Sequence, residues 1–378
     1  MNFIINQKIK EREEFFADNY IKNYNDAKKI SIVAVVHLID TGIPYVNLLE
    51  KYFSLRYIIP KPGSIDKKLL NFYPKHKILD VNRDELKNSK NIIKYLINIP
   101  KDNKLLLLDI GGYFVHSIND LKDKFGDRFI GVIEDTENGH QKYLSIENLK
   151  APVVSVARSP LKNNEDHLVG QAVVFSADSI LREQGVLLNN KKVGIVGFGK
   201  IGNGVLSSLR DKGCGISVYD KNPVTIILAL SRGYGISDKL KILQKSDVIF
   251  FSTGNLSLTN DEFRYLKKGT FVASVTSSDD EFDLSWLRKN YTKEIISKYI
   301  DKYDRNGHYF YLLNRGNAIN FIHGAVVGDF ILLVQKEMID TIIYMDKHKL
   351  ENGVQDSFDS VRERVADLWL KYFLKIKA

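Results

Sequence analysis

The sequence predicts an α/β fold of two doubly wound, Rossmann-like domains, each built on a parallel sheet. Three observations carry this expectation. Short apolar runs rich in Val, Ile and Leu alternate with segments whose apolar residues recur every three or four positions, as parallel strands and crossover helices do. The alternation occurs twice, with a long helical stretch between the two sets. The second set also contains a glycine-rich turn placed between a strand and a helix.

Residues 1–29 are highly charged and read as a helical lead-in. In the first set, 31–39 is a continuous run with β-branched residues, hence a buried strand, and 43–53 follows with helical spacing. Further strands are expected at 56–59, 77–81, 105–109, 129–133 and 153–157. A helix over 166–187 then leads to the second set, with strands at 193–196, 215–219, 247–252, 270–274 and 309–313. Two amphipathic helices, 324–344 and 356–375, close the chain. This gives a substrate or catalytic domain over 1–168, completed by 326–378, and a nucleotide-binding domain over 169–325.

At 378 residues, with 44% hydrophobic and 27% charged residues, the chain can fill two ordinary globular cores. Its net charge of +9 comes from basic residues spread among acids, which argues against a nucleic-acid partner. Cys214 is the only cysteine, so no intrachain disulfide forms and a reducing cytoplasm fits. No signal peptide is evident, and the most apolar stretch, 321–334, is broken by His323 and Asp329, so no membrane partner is expected.

The glycine turn has a recognisable chemistry. Strand 193–196 runs into Gly197, Gly199 and Gly202, spaced G-x-G-x-x-G, and Val205, Leu206 and Leu209 continue at helical spacing. Gly197 allows the tight turn, Gly199 lets backbone approach a pyrophosphate, and Gly202 lets helix and strand pack closely. Lys200 and Ile201 open the helix, whose N-terminus stabilises phosphate charge. A second strand ends in Asp220, 23 residues after Gly197, where a carboxylate accepts hydrogen bonds from the adenosine ribose and repels a 2′-phosphate. The expected cofactor is therefore NAD. No metal site is expected.

Several other motifs occur in a fixed order. They are Leu108-Asp109-Ile110-Gly111-Gly112, Gly131 through Glu134-Asp135-Thr136 to Gly139, Pro160-Leu161-Lys162 to Asp166, the glycine turn, Ser252-Thr253-Gly254-Asn255, Asp283-Leu284-Ser285-Trp286-Leu287, and Asn320. Over 105–335 this series resembles S-adenosylhomocysteine hydrolase. That family oxidises the 3′-hydroxyl of a nucleoside with bound NAD, eliminates the 5′ thiol, adds water and reduces the ketone again. The resemblance implies that Lys162 and Asp166 assist oxidation, that His37 serves the 5′ chemistry, and that Asp135 and Thr136 contact ribose and cofactor. It further implies that Thr253, Gly254, Asn255 and Asn320 hold NAD. The expected assembly is a homodimer or larger homo-oligomer, and the expected partner is a small nucleoside or sugar-like substrate.

The departures shape the functional expectation. The family's second aspartate in L-D-D-G-G, its acceptor for the 4′ proton, is Ile110 here, and the histidine after its N-x-G is Ser277. Its gating Gly-His pair is Val326-Val327, with His323 four residues before the second valine, and its C-terminal lysine–tyrosine tail has no counterpart. The expectation is an NAD-dependent enzyme oxidising a ring hydroxyl, with any elimination falling to His37 or His323. A catalytically inactive NAD-binding regulatory protein is the alternative. A D-2-hydroxyacid dehydrogenase would need Arg, Glu and His in the cofactor half; Arg232 and Glu262 are present, but no histidine lies between 168 and 307.

Overall fold

The computed structural model describes residues 3–276 and 281–376; Ser277 lies outside them. The chain divides into two compact units, residues 1–163 with 329–378, and residues 164–328.

In the first unit the strands are β1 (Ile30–Leu38), β2 (Ser54–Ile65), β3 (Lys104–Asp109), β4 (Phe129–Glu134) and β5 (Pro152–Ser155). The second unit contains β6 (Lys192–Val196), β7 (Gly215–Tyr219), β8 (Gly235–Ile236), β9 (Val248–Phe251), β10 (Phe271–Ser274), β11 (Thr292–Ser297), β12 (Ile300–Arg305) and β13 (His308–Leu313). β14 (Gly353–Asp356) belongs to the first unit again.

The first sheet is parallel throughout, in the order β14-β5-β4-β3-β1-β2. β1 shows why its residues form a strand buried on both faces. Ile32, Ala34 and Val36 pack into one core with Leu49 and with Ile339 and Ile342 of the helix Ile331–Lys347. Val33 and Val35 pack into the other, with Leu96, Phe114 and Leu121. Alternate side chains thus point to opposite helical layers, and each fully buried aliphatic side chain contributes about 1.5–3 kcal/mol.

The second sheet runs β11-β12-β13-β10-β9-β6-β7-β8. From β13 to β8 neighbours are parallel, but β12 is antiparallel to both β11 and β13. This corrects the expectation of a purely parallel sheet: 291–313 forms a meander whose outermost strand keeps Ile295 67% exposed, so its apolar pattern is weak. The expected strand 77–81 is absent; a short helical turn, Lys75–Lys77, precedes a single bridge from Ile58 to Ile78. The expected helix 324–344 begins only at Ile331, because Gly324 and Ala325 have φ of 79° and 47°, outside helical space. The expected helix 356–375 is Asp359–Trp369, since Asp356 ends β14, and a wider turn, Leu370–Leu374, follows it. The connecting helix spans Pro160–Glu183 instead of 166–187. Among the described residues no helix is long and apolar enough to cross a membrane.

Candidate active site

In each sheet the strand order reverses beside its first strand. The connection from β1 goes to β2 on one side and that from β3 to β4 on the other; those from β6 to β7 and from β9 to β10 diverge in the same way. Open α/β sheets bind ligands outside the carboxyl ends of the strands at such a switch point. His37 near the end of β1 and Asp109 to Gly111 at the end of β3 occupy the first; Gly197 after β6 and the 252–255 loop after β9 occupy the second.

In the second unit the sequence-predicted cofactor residues converge. Gly197 has φ 95°, and a Cβ there would stand 2.7 Å from the Ser252 carbonyl group, so the turn requires glycine. The Ser252 hydroxyl donates to Gly197 O at 2.6 Å and ties the two loops together. Gly202 lies against that same Gly197 carbonyl, whereas the space around Gly199 is open, as close approach of a phosphate demands. Lys200 opens the helix Lys200–Leu209, with its Nζ 3.9 Å from an Asp166 carboxylate oxygen, and Ile201 packs partly into the core. Asp220 accepts from the Phe198 amide at 2.6 Å and from the Asn222 amide at 2.8 Å, which fixes its carboxylate beside the turn.

Sequence reading missed Glu281. Its buried carboxylate accepts from Gly254 N (2.9 Å), Thr253 Oγ1 (2.9 Å), Ser257 Oγ (2.6 Å) and Thr276 Oγ1 (2.9 Å). Burial pushes its pKa up, and these donors oppose the shift. The side chain therefore holds Thr253 and Gly254 in place; Asn255 folds back on Thr253, its amide donating to Oγ1 at 3.1 Å. Its partners sit on separate loops, so no local motif announces it. Asn320 is 4% exposed, and its Oδ1 has no hydrogen-bond partner among the described residues. A buried amide oxygen without a donor suits the carboxamide of a nicotinamide. His323 is exposed, held by Ser176 Oγ at 3.0 Å from Nδ1 and by the edge of the Phe175 ring. Glu262 caps its own helical turn and pairs with Lys239 at 2.6 Å, which commits it to structure.

In the first unit Lys162 is buried, and its Nζ lies 3.1 Å from Asp135 Oδ1. Lys162 and Asp166 are one turn apart on the helix Pro160–Glu183. Thr136 caps the helix Glu137–Leu144 by accepting from Gly139 N at 3.1 Å, and it donates to Glu134 Oε1 at 2.7 Å. The first carboxylates of both motifs are structural. Asp109 accepts from Tyr113 N, Phe114 N and Tyr143 Oη, while Glu134 accepts from the amides of Gly111, Gly112 and Thr136. Burial and the neighbouring Asp109 raise the Glu134 pKa to about 7. Ile110, between the structural carboxylate of Asp109 and Gly111, is apolar and buried in the core of the first unit.

His37 Nδ1 lies 2.5 Å from Ser64 Oγ, and that hydroxyl donates to Lys61 O at 3.0 Å. Ser64 is then the acceptor from Nδ1–H, which leaves Nε2 as the lone-pair nitrogen. Desolvation, with the positive charges of Lys61 and Lys162, lowers the His37 pKa to about 3, so the ring is neutral near pH 7.

This second-unit geometry, with its glycine turn, helix N-terminus and ribose acceptor, defines a two-unit NAD-binding protein of Rossmann-like build. Residues 173–326 match the family model of the S-adenosyl-L-homocysteine hydrolase NAD-binding domain. Over 305 residues the chain is 27% identical to adenosylhomocysteinase of Sulfolobus acidocaldarius, covering 77% of this chain and 70% of that protein. The chain is accordingly similar to adenosylhomocysteinase, most specifically in its NAD-binding unit. Solved structures similar to it include the dipicolinate synthase A chain of Bacillus subtilis, with a TM-score of 0.45 and 10% identity over 84% of this chain and 97% of that one. Another is a phosphoglycerate oxidoreductase from Vibrio cholerae O395, with a TM-score of 0.44 and 12% identity over 84% and 99%.

Proposed function

We propose that this protein oxidises a ring hydroxyl of a nucleoside or sugar-like substrate, and that it is not an ordinary S-adenosylhomocysteine hydrolase. The observation that carries this reading is the buried Lys162–Asp135 pair at the carboxyl edge of the first sheet, in a chain whose second unit keeps the NAD-binding turn. Bound NAD supplies the hydride acceptor. Lys162 Nζ receives the hydroxyl proton once it has passed its own proton to the Asp135 carboxylate, so that the pair takes up one proton as the hydride leaves. Asp166, one helical turn on, is a second acidic group for that relay. Elimination is disfavoured because Ile110 takes no proton and because His37, with a pKa near 3, is too weak a base to replace an aspartate there.

Substrate-dependent reduction of bound NAD, followed by absorbance after mixing with a panel of nucleosides and sugars, tests this. Lys162→Ala should remove the signal while NAD stays bound. A protein that binds NAD yet reduces it with none of these compounds belongs with the NAD-binding regulatory reading instead.

A further inference from the structure

The helix Pro223–Ser231 of the second unit carries an apolar face that the fold does not use. Asn222 caps it, its Oδ1 accepting from Val224 N at 3.0 Å, and Pro223 opens its first turn. Val224, Ile227 and Leu228 recur at i, i+3 and i+4, the spacing of one helix face, and Leu230 lies beside Ile227. Such a face ordinarily turns to the core. Here it turns outward: Val224 is 71% exposed, Ile227 65%, Leu228 42% and Leu230 55%. Ala229, on the opposite side, is the one buried residue of the helix and joins the core of the second unit. Among the described residues no other element exposes more than two large apolar side chains.

The chemistry of the face narrows what can cover it. Between Lys221 and Arg232 the sequence holds no charged residue, so the face itself has nothing to pair with an acidic peptide or an anionic headgroup. The occupant that fits is an uncharged apolar helix face of the same length, about 13 Å, and a second copy of the chain carries one. A two-fold axis through the middle of the helix makes the contact self-complementary. Two helices crossing at about 50°, the commonest packing class, touch at their centres and separate towards their ends. Ile227 and Leu228 then meet their copies, while Lys221 and Arg232, one at each end, stay clear of one another.

The area agrees. Four side chains at these exposures present on the order of 400 Å² of apolar surface, a patch of the size that marks interaction sites. A standard interface takes about 800 Å² from each partner, about 60% of it apolar. This one helix therefore supplies most of the apolar surface that a stable dimer needs. We infer that its outward face is the contact between two copies of the chain, an isologous helix-on-helix interface in the second unit. The inference is independent of what the first unit oxidises.

Sedimentation velocity of the NAD-loaded full chain over a concentration series tests it. The wild-type protein should run as a dimer or as a larger even assembly. Ile227→Glu and Leu230→Glu set charges into the contact, and each should weaken association at least about 10-fold. Both positions are exposed in the single chain, so bound NAD and the melting temperature, measured on the same samples, should hold. Ile227→Ser, a gentler change, should move association in the same direction by a smaller factor. A wild-type chain that stays monomeric throughout the series would overturn the inference, as would an assembly that all three variants leave intact. So would a monomer that co-sediments with phosphatidylserine vesicles and loses that binding in Ile227→Glu, because a membrane surface would then cover the face.

Discussion

At the edge of the second sheet, the site is built mainly from backbone: a glycine turn opening a helix, the Ser252–Gly197 clasp, and a turn and a loop pinned by the carboxylates of Asp220 and Glu281. The corresponding edge of the first sheet is built from side chains: His37, Lys61, Arg83, Lys142 and the Lys162–Asp135 pair. A site made of backbone geometry is lost only if the turn itself is lost, so it persists through wide divergence. A site made of side chains is rewritten one substitution at a time. The family match accordingly falls on residues 173–326, in the unit whose site is built from the turn.

The largest expected effect tests the rewritten edge. A general acid–base group contributes about 10²–10⁴-fold in rate, and both Ile110 and Ser277 replace one. With S-adenosylhomocysteine the NAD-loaded protein should release homocysteine far below 1 s⁻¹, a rate ordinary for enzymes. Turnover above that rate would erase the contrast between the two edges. Next in size is the glycine turn: Gly197→Val puts a branched side chain at φ 95° against the Ser252 carbonyl and should abolish measurable NAD binding in a calorimeter.

Glu281→Ala should act on the same edge more mildly. It strips the acceptor from four donors, and each one left buried without a partner costs about 1–3 kcal/mol. NAD affinity should fall about 10-fold or more and the melting temperature should drop, with both measured on one preparation. An unchanged affinity beside a lowered melting temperature would make Glu281 a core residue only. Asp220→Ala should weaken NAD by several-fold and raise relative affinity for NADP about 10-fold, read by titrating both cofactors.

The smallest effect separates the buried groups of the first edge by the sign of their pH dependence. His37 titrates near 3 when folded and about 6.5 when unfolded, so between those values the unfolded chain binds the extra proton. Its contribution is complete above pH 6.5 and declines as pH falls, by about 1 kcal/mol between 6.5 and 5.5. Glu134 has the opposite sign: raised to about 7, it stabilises fully below about 4.5 and loses that contribution as pH rises through 7. Urea unfolding of His37→Gln and Glu134→Gln across pH 4.5–8 should flatten the slope in opposite directions.

The sequence by itself determined most strands of the two sets, the connecting helix and the nucleotide turn. These depend on local signals: alternating or continuous apolar runs, glycines where φ is positive, and an acid at the end of a strand. It did not determine β11 and β12, the outer strands of the meander, where an exposed edge strand carries little apolar pattern, nor β14, whose last residue, Asp356, read as the start of a helix. Lys162 and Asp166 were legible through motif spacing, but the ion pair of Lys162 with Asp135 joins residues 27 apart and appears only once β4, which ends just before Asp135, and β5, which leads into the helix of Lys162, lie side by side. Glu281 was invisible for the same reason. Charges cluster, and buried acceptors find their donors, across strands and loops far apart in sequence, and only the closed fold sets those distances.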